Sequence, residues 1–319
     1  MKSKKSRVYH QLFSHFQQQA YTLSDFKIDK FTDEYPDNYL MDPSLRKKTI
    51  KYNRVMKCTW AIHGNHTVHC SFFLYSRNKT ELNEKQMKTL IDALSFILSF
   101  SLKEQHLLVH FVPLKDKKIT SKHLSNKNVN SGSSHRNEIF VYRYEECLKV
   151  LFHECIHFLG FSHQSFFSEE LVEYYIDKYQ LNVQSINFNE AYTEIFARLF
   201  FCYYLSNQSY PRFLHLLKTE YQFSHYQANK ILVLNQTMNV NQNTNTIAYY
   251  LITCELFDHL HTFLDFCVKH NQDLFYLEHR SLFQKMMFSL KKITHKKILK
   301  SQPNYSTMRM TISHHPVFP

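Results

Sequence analysis

Two histidines with an acidic neighbour form the part of the chain with the clearest capacity for chemistry. His153, Glu154 and His157 read His-Glu-x-x-His, and Gly160 and His163 extend the pattern to His-Glu-x-x-His-x-x-Gly-x-x-His. Histidines four apart on a helix lie about 40° apart around its axis and roughly 6 Å apart along it. Both imidazoles can therefore reach one metal ion, while Glu154 on the neighbouring face can take a proton from water.

The residues around this pattern are apolar. Between positions 150 and 161 the only charged or imidazole side chains are those of His153, Glu154 and His157. A helix that is apolar on nearly every side is typically buried, and burying these three groups without partners is costly. A bound cation offsets that cost, and the pattern predicts Zn²⁺. The alternative is that both histidines donate to core carbonyls while Glu154 caps or pairs nearby.

A second pair of acidic residues lies at the start of another apolar helix. Glu190 and Glu194 are four apart, so they share a face and repel each other. A metal ion and a metal-ligating histidine would relieve that repulsion. In the alternative interpretation, the helix dipole stabilises Glu190 in the first turn and Glu194 pairs with Arg198.

The two patterns together resemble the gluzincin branch of the zincin metallopeptidases, typified by thermolysin. In that group a glutamate of a second helix joins the two histidines, often in the context Asn-Glu-x-x-Ser-Asp. Residues 189–194 read Asn-Glu-Ala-Tyr-Thr-Glu, with Thr in place of Ser and Glu in place of Asp. The resemblance implies a zinc-dependent peptidase acting on a peptide or protein substrate, with three metal ligands: His153, His157 and Glu190.

The resemblance also implies the roles of the other site residues. Glu154 would be the general base, and Glu194 would accept a hydrogen bond from His153 and orient it. Zincins commonly add a Tyr or His that donates to the oxyanion, and the candidates here lie in or near predicted helices: Tyr249, Tyr250 and His225. Because aromatic residues make up 16% of the chain, a core role is the alternative for each candidate.

The elongated pattern has a competing resemblance, to the metzincins. There the last histidine, here His163, is the third ligand, and Met238 is the nearby candidate for the methionine turn of that group. The third ligand therefore stays open between Glu190 and His163, and the apolar surroundings of Glu190 favour the glutamate. More loosely, the chain resembles uncharacterised His-Glu-x-x-His proteins of large DNA viruses.

The order of predicted elements gives an α+β fold. By the same resemblance we expect a zincin-like architecture, a small mixed sheet with an upper helix packed on a mainly helical C-terminal lobe. We divide the chain into an irregular basic N-terminal extension with one short helix (1–54), a sheet-containing upper lobe (55–143), a helical lobe with the metal site (144–300) and a flexible tail (301–319).

Local signals predict the elements that must position the site. Segments 59–63 and 67–75 flank Gly64-Asn65 and predict a hairpin, and strands are expected at 107–114 and 138–143. The motif helix is expected at 145–159, ended by Gly160, and residues 128–132 are expected along a substrate cleft. Other helices are predicted at 84–101, 169–179 capped by Ser168, 190–205 capped by Asn187 or Asn189, 212–221, 225–234, 247–269 and 282–292.

Composition restricts the remaining classes of function. The net charge of +12 is concentrated in residues 2–7, 46–54, 115–122 and 291–300; such clusters suit polyanion contact, or else are solvated loops. The seven cysteines have no Cys-x-x-Cys pair and predict reduced core residues of an intracellular protein. Neither a secretory signal nor a membrane span is expected.

Two alternatives to a peptidase remain. One is a zinc-binding structural protein of zincin fold without turnover, packaged in a virion, and the other is a basic polyanion-binding protein.

Overall fold

The predicted α+β class is confirmed by the structure, which is a computed structural model. It describes residues 4–24, 26–29, 32–33, 41, 43–77, 84–121, 124–162, 168–236, 244–293 and 306–315. The chain divides into two compact units, which we call the sheet unit (17–118, 130–159 and 314–319) and the helical unit (1–16, 119–129 and 160–313).

The bounds of the elements in the described ranges are as follows. The helices are α1 (Lys4–Gln18), α2 (Pro43–Thr49), α3 (Glu84–Leu98), α4 (Asn126–Val129), α5 (Cys147–Leu159), α6 (Glu169–Tyr179), α7 (Phe188–Ser206), α8 (Tyr210–Asn235), a π-helix (Ile247–Ile252), α9 (Thr253–Asp258), α10 (Leu260–His270) and α11 (Arg280–Ser289). The strands are β1 (Thr22–Leu23), β2 (Lys27–Ile28), β3 (Thr32–Asp33), β4 (Arg54–His63), β5 (Thr67–Ser76), β6 (Gln105–Phe111), β7 (Gly132–His135), β8 (Glu138–Val141), β9 (Asn271–Gln272) and β10 (Tyr276–Leu277).

A mixed sheet forms the centre of the sheet unit. In the described part of the chain its strand order is β1-β4-β5-β6-β8-β7, and β2 and β3 also pair with β4. The β4–β5 pair is the predicted hairpin, with His63 opposite Thr67 at its turn. A Cβ on Gly64 would lie 2.7 Å from the carbonyl oxygen of Ser99, so this turn needs glycine because backbone approaches it closely. Strands β5, β6 and β8 run parallel, and β7 returns antiparallel to β8.

One face of this sheet is covered by helices. Alternate residues of β5 and β6 are buried, including Val68, Cys70, Phe72, Leu107 and Val109. Helices α3 and α5 contact each other, and α5 also contacts β7 and β8. Strands β7 and β8 come just before α5 in sequence, so short connections fix the position of the motif helix.

The helical unit is built around α7, which contacts α8, the π-helix and α9. Its interior is aromatic: the Phe275 ring centroid lies 5.0 Å from that of Phe200 and 5.2 Å from that of Phe161. Helix α1 joins this cluster through Phe16, whose ring centroid is 4.7 Å from that of Phe200. Such contacts explain why long apolar stretches of α7 are fully buried.

Several local predictions are confirmed. Helices α3, α5, α6 and α7 and strands β6 and β8 lie within a few residues of their predicted positions. Ser168 caps α6 by accepting a hydrogen bond from the amide of Leu171, and Asn187 caps α7 by accepting one from the amide of Asn189. Gly160 ends α5 with φ +75°, which is the left-handed conformation expected of a C-terminal glycine.

Other segments are helical as predicted, but their division into separate helices was predicted wrongly. The two helices predicted at 212–221 and 225–234 form one helix, α8, because no glycine or proline separates them and Phe223 and Ser224 are buried. The helix predicted at 247–269 is a π-helix followed by α9 and α10, which are separated at His259. The amide of Thr253 donates to the carbonyl of Ala248, five residues earlier. This spacing is that of a π-helix, which has one residue more in each hydrogen-bonded turn than an α-helix.

The ends of the chain contain more ordered packing than the sequence indicated. The segment predicted as an irregular extension begins with α1, fifteen residues long, which buries Val8, Leu12, Phe13 and Phe16. Of the predicted flexible tail, residues 306–315 are described, and Met308, Met310 and Thr311 are buried there.

The cysteines and one basic cluster also have defined environments. All seven cysteines are described, and each is buried with a free thiol. In the cluster at 115–122, Lys118 is 1% exposed and its Nζ lies 3.0 Å from Oε2 of Glu146. Burial lowers the pKa of Lys118, and the carboxylate of Glu146 opposes that shift. This lysine is therefore not part of a polyanion-binding surface.

None of the helices in the described ranges combines the length and the apolar character that crossing a bilayer requires.

Candidate metal centre

Helix α5 carries the two motif histidines and is buried on nearly every side. It begins after Tyr144, whose carbonyl accepts from the amide of Cys147, and continues as a helix in which nearly every side chain is buried. The predicted burial of the motif helix is thus confirmed. His153 and Glu154 are buried, and His157 is half-buried in the last turn.

The two imidazoles converge at one point. Nε2 of His153 and Nε2 of His157 are 3.2 Å apart, and the ring planes are inclined by 72° with centroids 4.9 Å apart. Two nitrogens bound to a tetrahedral zinc ion at about 2.0–2.1 Å would lie about 3.3 Å apart. The same separation also suits a hydrogen bond between imidazoles, which requires that one Nε2 carry a proton and the other a lone pair.

Glu154 has a close neighbour in the first residue of β7. A Cβ placed on Gly132 would lie 2.6 Å from Oε1 of Glu154 and 2.7 Å from Cγ1 of Val150. No side chain fits there, so the glycine allows the strand backbone to lie directly against the carboxylate. The glycine ends the segment 128–132 that the sequence assigned to a substrate cleft.

Glu190 lies in the first turn of α7, where it is half-buried. Glu190 belongs to the helical unit, whereas His153 and His157 belong to the sheet unit. Two imidazole nitrogens and one carboxylate oxygen are a ligand set that zinc accepts with a further position open. The residues present therefore fit the ion that the motif predicts.

Glu194 has the partner proposed in the alternative interpretation. Its Oε1 accepts from Nε of Arg198 at 2.8 Å, and both side chains are about 99% or more buried. Nη2 of Arg198 also donates to the carbonyl of Tyr249 at 3.3 Å. The pairing of Glu194 with Arg198 is thus confirmed, and the predicted contact of Glu194 with His153 stays a prediction.

The candidates for oxyanion stabilisation differ in their surroundings. The hydroxyl of Tyr250 donates to the carbonyl of Met308 at 2.5 Å, and this side chain is fully buried. His225 places Nε2 3.4 Å from Oδ1 of Asp258. Tyr249 is buried in the π-helix. These contacts support core roles for Tyr250 and His225 and leave Tyr249 as the remaining candidate.

Two residues of the metzincin alternative, His163 and Met238, lie outside the described residues.

Sequence reasoning missed a second group of potential metal ligands, which are exposed: His69, Glu104 and His106. The available signal was that His69 lies in the strand predicted at 67–75 and His106 immediately before the strand predicted at 107–114, but bringing them together required the strand register.

The chain matches no protein-family model, no curated protein and no solved structure.

Proposed function

We propose that the chain is a zinc-dependent metallopeptidase with a gluzincin-like site. The observation that carries the proposal is the 3.2 Å separation of the two Nε2 atoms on a buried helix, with Glu154 between the histidines in sequence. Zn²⁺ would be held by His153, His157 and Glu190, the two imidazoles and one carboxylate that the resemblance to the gluzincins implies, and this ligand set leaves a further position open. In this proposal the sheet unit corresponds to a zincin-like sheet, with α5 as its active-site helix.

The chain's own residues would bind, position and move protons. When bound, Zn²⁺ polarises the scissile carbonyl and lowers the pKa of the attacking water. Glu154 would take the proton of that water as the water oxygen attacks the carbonyl carbon, and would return it to the amine as the peptide C–N bond breaks. The close approach of Gly132 restricts the carboxylate of Glu154 to few positions, which favours a fixed distance to the attacking water.

The test combines metal analysis with digestion of a peptide library. We expect the purified protein to contain about one zinc ion per chain at this site and to cleave a subset of library peptides. Chelation should stop cleavage, and added Zn²⁺ should restore it. Zinc binding without any turnover would instead support the structural zinc-binding alternative, and absence of zinc would reject both.

Replacing Gly132 with alanine tests the proposed positioning of Glu154. The added methyl group must displace Glu154 or Val150, so we expect the free energy of unfolding to fall by about 1–3 kcal/mol. If the carboxylate of Glu154 is displaced by about 1 Å, kcat should fall about 100-fold. The zinc content should stay unchanged, because the substitution does not alter either histidine. Ser134→Ala in the same strand is the control, and both quantities should stay close to those of the unsubstituted protein. A Gly132→Ala protein with normal kcat would show that this contact does not position the base.

A further inference from the structure

Two histidines and a glutamate meet on the face of the sheet that points away from α3 and α5. His69 lies on β5 and His106 on β6, where they are direct partners in the parallel register, and Glu104 comes immediately before β6. Their neighbours Val68, Cys70 and Leu107 are buried. Because side chains alternate along a strand, His69 and His106 are directed to solvent on one face, and all three side chains are exposed.

The three side chains are already close enough to share an ion. The imidazoles of His69 and His106 stack with centroids 4.7 Å apart and planes inclined by 15°. Nε2 of His69 lies 3.7 Å from Oε1 of Glu104. One ligand atom of each residue lies within 4.8 Å of the other two.

The alternative is a simple ion pair between His69 and Glu104, which does not involve His106 although the two imidazoles are stacked. Neutral imidazoles offer lone pairs, and with a carboxylate they form a donor set that suits zinc and similar ions rather than Mg²⁺ or Ca²⁺. The strand register holds the two histidines side by side before any ion binds, which reduces the ordering cost of binding.

We propose that His69, His106 and Glu104 form a second, solvent-exposed binding site for a divalent transition-metal ion, distinct from the centre on α5. Three protein ligands leave the remaining coordination positions to water or to a group from outside the chain. This site does not depend on the proposed peptidase activity.

The test is a Zn²⁺ titration of the full chain, in which bound metal is measured by equilibrium dialysis with elemental analysis. We expect His69→Ala and His106→Ala each to weaken one zinc-binding event at least about tenfold, since loss of a direct ligand should exceed the effect of losing a group that only orients one. Glu104→Gln should weaken the same event less. His66→Ala, which removes an exposed histidine from the turn of the same hairpin, is the matched control and should bind zinc normally.

The variants at this site and at α5 separate the two proposals. His153→Ala should remove a different zinc equivalent, and His69→Ala combined with His153→Ala should remove both. Because His69 and His106 are exposed, the metal-free variants should unfold at the same temperature as the unsubstituted chain. Equal zinc binding by the unsubstituted chain, His69→Ala and His106→Ala would overturn the second site, whatever the outcome for His153→Ala.

Discussion

Glu154→Gln is expected to lower kcat/KM for peptide hydrolysis by about two to four orders of magnitude, the range that general acid–base catalysis supplies. Glutamine has nearly the same shape as glutamate, so it fits the restricted space next to Gly132. Its amide cannot take a proton from water at neutral pH. Neither imidazole is altered, and zinc should therefore stay bound. The measurement is kcat/KM on a peptide found in the library digest, with zinc content determined on the same sample.

Glu173→Gln is a suitable control for this substitution. Glu173 is an exposed glutamate on α6, so the same chemical change there should leave both quantities unaffected. If Glu154→Gln keeps full activity with zinc bound, the assignment of Glu154 as the base is wrong. Loss of zinc together with activity would indicate that Glu154 helps to hold the metal site together, and would equally contradict a role limited to proton transfer.

The parts of the fold that could be predicted are those defined by local sequence. The hairpin follows from alternating β-branched and aromatic residues around Gly64-Asn65, and α5, α6 and α7 follow from apolar runs with identifiable ends. One short helix was predicted within residues 1–54, but the fifteen-residue helix α1 was not located, although Val8, Leu12, Phe13 and Phe16 have helical spacing.

The features that could not be predicted depend on distant contacts. Nothing in the sequence fixes the order of β5, β6, β8 and β7, because α3 separates β5 from β6 and pairing is decided by packing. The π-helix at 247–252 has no local signal either. For the same reason the motif residues His153, Glu154 and His157 could be predicted, whereas the group of His69 and His106 required the parallel register.

Glu190→Ala is expected to weaken zinc binding, whereas His163→Ala is expected to leave it unchanged. Loss of one of three ligands should weaken zinc at the α5 site by more than about 100-fold, which exceeds the usual effect of losing a group that only orients a ligand. If Glu190 is that ligand, Glu190→Ala should lose zinc and peptide hydrolysis together. His163→Ala should keep both. Competition with a chromogenic zinc chelator measures the affinity of each protein.

A first-turn glutamate elsewhere in the chain separates ligation from helix stabilisation. Glu169 occupies the first turn of α6 as Glu190 does that of α7, so Glu169→Ala removes a comparable interaction with a helix dipole. If Glu190 acts only through the dipole of α7, both substitutions should lower the free energy of unfolding by about 0.3–1 kcal/mol and leave zinc affinity unchanged. If His163→Ala instead loses zinc while Glu190→Ala keeps it, the metzincin-type ligand set is correct. The buried pair of Glu194 with Arg198 is left intact in all three variants, so a difference in zinc affinity would report on Glu190 or His163 itself.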